Sequence, residues 1–275
     1  MGGSPGVAEF AAVKINLWLH VTGRRDDGYH LLDSLIAFAG VGDRLSLVAA
    51  DDLTLDITGP FAGGLATTND NLVIRAAWLL ASEAGLRPAA AMTLEKNLPV
   101  ASGIGGGSAD AAATLRGLSK LWKLNLPDED LARLALRLGA DVPMCLAGRA
   151  ALASGVGENL TAVGGLAPAW VVLVNPRIAL STPEVFRNRA GGFTELPPPA
   201  PESLADLSGL IAALEDRHND LAPPAIHLAP VIGEVIRRLW DEAACRYAAM
   251  SGSGATCFGL FADQSAAEQA AGAIL

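Results

Sequence analysis

A chain of 275 residues has room for one large domain or two modest ones, and with half its residues hydrophobic but only 5% aromatic its core must be built from Ala, Leu, Val and Ile. The formal net charge of −9 argues against nucleic acid or an anionic membrane as a partner, so any phosphate has to be met by local structure. Cys145, Cys245 and Cys257 are odd in number and lack CxxC or Cys/His spacing, which speaks against a disulfide framework or a zinc site and fits a reducing cytoplasm.

The opening MGGSPGVAEF has neither the basic segment nor the apolar run of an export signal and is expected to be flexible. From Val13 to Val21 apolar residues alternate with Lys14, Asn16, Trp18 and His20, the period of a half-buried strand that puts Lys14 and Asn16 on one face. Strands follow at Arg44 to Ala49 and Leu53 to Ile57, and Asp70 is expected to open an Ala- and Leu-rich helix that Gly85 closes. Ala90 to Lys96 reads as a strand. The run LPVASGIGGGSADAAATLRGL then passes from a glycine-rich loop into an Ala-rich helix, with Ser108 the expected N-cap.

A second helix, Asp128 to Leu138, sits between Pro127 and Gly139 and leaves Asp141 outside regular helix in the connection GADVP. A strand at Ala150 to Ala153 precedes a shift to Pro- and Gly-containing connections, which suggests a boundary near residue 155, giving parts 1–155 and 156–275. The uncharged run from Asn159 to Pro176 is broken by Gly164, Gly165 and Pro168, so it reads as a loop and a buried strand at Trp170 to Val174 rather than a membrane span. A Pro-rich surface loop, Gly191 to Ser203, helices near Leu204 to Leu214 and Leu228 to Ala244, and a terminal strand, glycine loop, strand and helix complete the chain. Strands grouped with helices, without regular alternation, favour an α+β fold.

Gly103, Gly105, Gly106 and Gly107 stand directly before a helix, where unhindered backbone N–H groups can close around an anion. A flexible linker would need no helix start behind it. The motif GxxxxGK[ST] is absent, as are the spacing GxGxxG and the HRD and DFG elements of protein kinases. Asp141, among apolar neighbours, could serve as a base if a cation keeps it charged, or simply cap the segment that follows; Lys14 could pair with it or reach solvent.

Three segments in this order carry a family resemblance: AVKINLWL with GRRDDGYH, then LPVASGIGGGSADAAATL, then MSGSGATCF. Together they resemble the GHMP kinases over nearly the whole chain, from about Val13 to Phe258, and the K-x-N-L-x-L pattern with GRRDDGYH and GADVP is similar to the subfamily that acts on cytidine-diphosphate-linked methylerythritol. The resemblance implies a two-domain α+β fold, a ribosomal protein S5 domain 2-like N-terminal domain and a ferredoxin-like C-terminal domain. It also implies transfer of a phosphoryl group from ATP, with Mg²⁺, to the C2 hydroxyl of that acceptor in the non-mevalonate isoprenoid route. Acceptors such as homoserine or mevalonate, and a catalytically silent binding protein, are the rival readings.

By position, the resemblance makes Asp141 the base, with Lys14 beside it. It assigns Pro99, Val100, Ala101, Ser102, Gly103, Ile104, Gly105, Gly106, Gly107, Ser108 and Ala109 to ATP, with Gly103 to Ser108 on its phosphates, and Asn71 and Lys96 to the adenine side. Asn16 and Thr182 fall on the acceptor side, and Tyr29, His30 and Phe186 would hold cytosine by stacking and hydrogen bonding. Ala12-Val13-Lys14 stands where the family usually has P-A-K, and Ile104 where leucine is usual. No glutamate falls at the family's Mg²⁺ position, which leaves the ion mainly to ATP, with Ser108 or water as further ligands. The expected partners are these small molecules, with no nucleic acid and no membrane, for a cytoplasmic monomer or weak homodimer.

Overall fold

The computed structural model describes residues 6–99, 103–195 and 204–274. They group into two compact units that interleave along the chain: one comprises residues 1–14, 38–100 and 105–149, the other residues 15–37, 101–104 and 150–275. The interleaving arises because two long strands, β1 (Val7–Arg24) and β2 (His30–Val48), each give one end to either unit. Among the described residues no helix is long and apolar enough to cross a membrane.

In the first unit, Arg44 to Val48 of β2 pair antiparallel with β4 (Ala90–Glu95), and β3 (Leu53–Thr58) pairs parallel with β4. Helix α1 (Leu72–Glu83) makes the crossover that a parallel pair requires. Helices α2 (Gly106–Leu121), α3 (Asp128–Leu138) and α4 (Val142–Ala147) follow. α2 buries Ala109, Ala111, Ala112, Ala113, Leu115 and Leu118, and small residues on that face let it pack closely on its neighbours. α3 starts after Pro127 with Asp128, Glu129 and Asp130 at its positive end, as the sequence predicts.

In the second unit, Leu32 to Ile36 of β2 pair antiparallel with β5 (Ala151–Gly155), and β5 pairs with β6 (Asn159–Ala162). A three-stranded antiparallel sheet runs in the order β7 (Trp170–Val174), β9 (Cys257–Phe261), β8 (Tyr247–Met250). Helices α5 (Thr182–Arg187), α6 (Leu207–Glu215), α7 (Ala222–Leu228), α8 (Val231–Asp241) and α9 (Gln264–Ile274) complete it. Leu19, Val21, Val172, Ile232, Leu239 and Phe261 lie at the centre of its core.

Four local expectations change. Ser108 is not the N-cap of α2: Gly105, at φ 69° and ψ 21°, holds that position, and Ser108 falls in the first turn. Asn71 rather than Asp70 caps α1, its side chain accepting from the Val73 N–H. β1 is buried on both faces from Val13 to Val21 instead of one, and it already begins at Val7, inside the segment expected to be flexible. The helix expected near Leu228 to Ala244 is α8, Val231–Asp241, and a further helix, α7 at Ala222–Leu228, lies just before it where none was expected.

Candidate active site

Lys14 lies on β1 where both faces are covered, so its ammonium cannot run out to solvent as a strand lysine usually does. Its side chain is 5% exposed, and Nζ lies 3.2 Å from Oδ2 of Asp141, which is 42% exposed. Asp141 precedes α4 at φ −84° and ψ −13° and caps nothing with its side chain, so the carboxylate is committed to the lysine rather than to the helix. A Cβ built at Gly105 would stand 3.3 Å from Lys14 Cε, which puts the start of α2 directly against the same lysine. Cys145, 3.8 Å from that Cβ position, has its thiol pushed up to about 12 by burial and offers no nucleophile.

The first turn of α2 begins at Gly106, and its leading N–H groups have no partner inside the helix. Among the described residues no side chain caps α2, and the dipole at a helix N-terminus favours an anion there. Gly105 meets a positive φ at no steric cost. Gly103, in the second unit, has φ 73° and a Cβ position only 2.3 Å from the Gly254 carbonyl oxygen, so no other residue fits there. Ile104 is buried, Gly107 is exposed, Ala109 begins the buried face of α2, and Pro99 is half-buried; Val100, Ala101 and Ser102 lie outside the described residues.

Asn71 and Lys96 are both held by the protein. Beyond its capping bond, Asn71 donates from Nδ2 to the Ala66 carbonyl at 2.8 Å. Lys96, at the end of β4, is 4% exposed and ion-pairs with Asp43 and, at 2.7 Å, with Asp110. Burial works against the Lys96 charge, but the two carboxylates outweigh it and raise its pKa. Asp110 is pushed up to about 7 by burial and by the Asp43 charge, against the pull of Lys96. Neither Asp43 nor Asp110 stood out in the sequence. The available signal was an aspartate in the middle of the alanine run that forms the buried face of α2.

In the second unit the Asn16 amide donates to Ser34 Oγ at 2.8 Å, and its backbone N–H donates to Ser251 Oγ at 3.1 Å. The third sequence motif thereby meets the first, and the Gly252 Cβ position lies 2.7 Å from the Gly103 carbonyl oxygen of the second. Asn219, which sequence reasoning passed over, fixes this turn by donating to the Met250 and Gly252 carbonyls at 2.9 and 2.8 Å. Thr182 and Ser253 share a hydrogen bond of 2.7 Å.

His30 stacks on Phe186 with ring centroids 4.7 Å apart and 19° between planes, so the two aromatic faces cover each other, while Tyr29 stands 62% exposed. Burial, together with the Arg24 and Arg189 charges, lowers the His30 pKa from 6.5, which keeps the ring neutral near pH 7. Behind this region Asp33 accepts from Trp18 Nε1 at 2.9 Å and lies 3.5 Å from His20 Nδ1.

Residues 71–149 match the GHMP kinases N terminal domain, and residues 201–274 match the GHMP kinases C terminal model. A 4-diphosphocytidyl-2-C-methyl-D-erythritol kinase from Rhodospirillum rubrum is 55% identical over 95% of this chain and 86% of its own length. One of the same name from Paramagnetospirillum magneticum is 53% identical over 95% and 91%. The crystal structure of a 4-(cytidine 5'-diphospho)-2C-methyl-D-erythritol kinase superposes with a TM-score of 0.80 at 35% identity, covering 97% of this chain and 94% of that one. A homoserine kinase from Cytophaga hutchinsonii shares the fold alone, with a TM-score of 0.69 at 19% identity over 100% of this chain and 90% of its own. The chain belongs to the GHMP kinases, with the two-domain α+β fold of that family and with 4-diphosphocytidyl-2-C-methyl-D-erythritol kinases among its relatives at more than half identity.

Proposed function

We propose that this kinase transfers the γ-phosphoryl group of ATP to the C2 hydroxyl of 4-diphosphocytidyl-2-C-methyl-D-erythritol, giving the 2-phosphate and ADP, a step of non-mevalonate isoprenoid synthesis. The observation that carries the reading is the contact of a buried ammonium with a half-exposed carboxylate against a helix start made of glycine. The Asp141 carboxylate takes the proton of the acceptor hydroxyl as its oxygen bonds to phosphorus. The Lys14 ammonium keeps that carboxylate ionised beforehand and stabilises charge on the attacking oxygen. The leading amides of α2 hold the phosphates in line, which is most of what phosphoryl transfer asks of a protein.

Mg²⁺ would neutralise phosphate charge in this reaction. The described residues contain no group of three His, Cys, Asp or Glu able to cage a metal, while Ser108 sits in the first turn of α2. That donor set suits an ion carried mainly on the phosphates, with Ser108 as the protein ligand. For the acceptor, the neutral His30 ring reads the cytosine edge, and Phe186 and Tyr29 supply stacking faces once His30 and Phe186 part. Asn16 and Thr182 serve the sugar alcohol. We take residues 1–155 as the ATP-binding N-terminal domain, which also carries Asn16, Tyr29 and His30, and residues 156–275 as the C-terminal domain, in the cytoplasm.

Asp141→Asn is the direct test, expected to lower kcat by about 10²–10⁴ with ATP affinity nearly unchanged. Full turnover in that variant would remove Asp141 from the role. Turnover with the acceptor lacking its cytidine diphosphate separates this acceptor from a simple alcohol, since a cytidine reader loses most activity without the base.

A further inference from the structure

Lys96 does not stand alone. Its ammonium bonds Asp43 and Asp110, all three side chains are at most 5% exposed, and one carboxylate oxygen of Asp110 is left without a partner in the interior. Asp43 uses its other oxygen to accept the backbone N–H groups of Asn97, at 2.6 Å, and Leu98, at 2.9 Å, the residues through which the chain enters the glycine loop. Asp110 is in α2, into which the loop exits, and a Cβ at Gly106 would lie 3.7 Å from Lys96 Nζ and 4.0 Å from Asp43 Oδ2. One buried charge cluster therefore grips both ends of the segment from Asn97 to Gly106.

We propose that Asp43, Lys96 and Asp110 are positioning residues for ATP, a knot that fixes the separation between the two ends of the glycine loop and so pre-sets the amides that receive the phosphates. Lys96 then serves ATP through the loop and not by touching it. Two of its three hydrogens go to Asp43 and Asp110, its side chain is 4% exposed, and withdrawing it would leave two uncompensated carboxylates in the interior. A loop held at both ends loses little freedom when its ligand arrives, whereas a slack one must be ordered at the expense of affinity. The inference rests on the kinase reading only in taking the glycine loop as the ATP site.

The test compares Asp110→Ala, which removes an acceptor of the Lys96 ammonium, with Asp110→Asn, which keeps one of the same shape. ATP binding is titrated calorimetrically with no second substrate, and KM for both substrates is measured on the full chain. Asp110→Ala is expected to weaken ATP by about tenfold, the size of one lost buried hydrogen bond, with KM for the cytidine substrate within about twofold. Asp110→Asn is expected to restore ATP affinity to within about threefold. Equal impairment of the two variants, unchanged ATP affinity in Asp110→Ala, or a parallel change in both KM values overturns the proposal. Asp43→Asn provides an independent arm, turning an amide toward Lys96 while sparing the bonds to Asn97 and Leu98. Weaker ATP binding supports the knot, and tighter or unchanged binding would mean that Lys96 reaches ATP itself. If Asp110→Ala does not fold, this arm and Asp110→Asn decide. Because ATP binding is read without an acceptor, a failed Asp141 reading and a failed knot give separate results.

Discussion

Lys14 and Lys96 are almost equally buried, at 5% and 4% side-chain exposure, yet their surroundings differ in one respect. Lys14 faces a carboxylate that still reaches solvent, while Lys96 faces two that do not. A carboxylate that must meet a substrate proton has to keep one side open, and its lysine need only hold it charged. A cluster closed on every side can meet nothing, and its charges act by fixing backbone. Burial of a lysine alone thus says little about its role; the exposure of its partner separates the chemical pair from the structural one.

The comparison breaks most visibly in turnover. Lys14→Met is expected to lower kcat by about 10²–10³ with ATP affinity retained, as befits loss of one electrostatic stabiliser of the transition state, measured by steady-state ADP release. Lys96→Met is expected to show its damage in folding instead. Breaking a buried pair by removing one partner costs about 3–5 kcal/mol in urea titrations, whereas Lys14→Met should cost less because Asp141 can hydrate. Equal stability losses in the two variants would erase the distinction.

A smaller effect sharpens it. The Asp110 pKa in the folded protein, about 7, lies above its ordinary 3.8, so the native state holds the proton more tightly than the unfolded chain does. The corresponding stability is fully present below the ordinary value and is lost as pH rises through about 7, so the stability advantage of wild type over Asp110→Asn should shrink between about pH 4 and 8. His30 runs the other way. Its lowered pKa favours the native state above 6.5, and that contribution declines as the unfolded chain takes up a proton below it, so an NMR titration of His30 should show a midpoint under 6.5. The smallest change is expected from Phe186→Ala, which should raise KM for the cytidine substrate by about two- to tenfold through lost stacking and leave KM for ATP alone.

Much of the fold was legible from residues alone where a start and a stop both carried a signal. α3 lies between Pro127 and Gly139 as read, and β7 spans Trp170 to Val174 as read. Elements of four to seven residues, β6, α5 and α7, escaped because so few residues establish no period and packing decides them. Ser108 was misplaced for another reason. Serine is a frequent cap, but the preceding glycine can take a left-handed turn that starts the helix earlier, a choice set by backbone and not by side-chain type. At the site, Lys14, Asp141 and Gly105 stand together in one unit, whereas Asn71 and Lys96 turn out to be engaged by the protein's own groups. What sequence could not reveal was the stack of His30 on Phe186, since two residues so far apart in the chain give no local sign of meeting.

The fit of Gly103 against the Gly254 carbonyl bears on drug resistance. An inhibitor anchored on the peptide groups around this glycine would grip atoms present whatever the side chain, and the usual escape, a bulkier residue at the contact, is closed because even a methyl group would collide with the neighbouring turn. Resistance would have to arise elsewhere, at positions outside this contact.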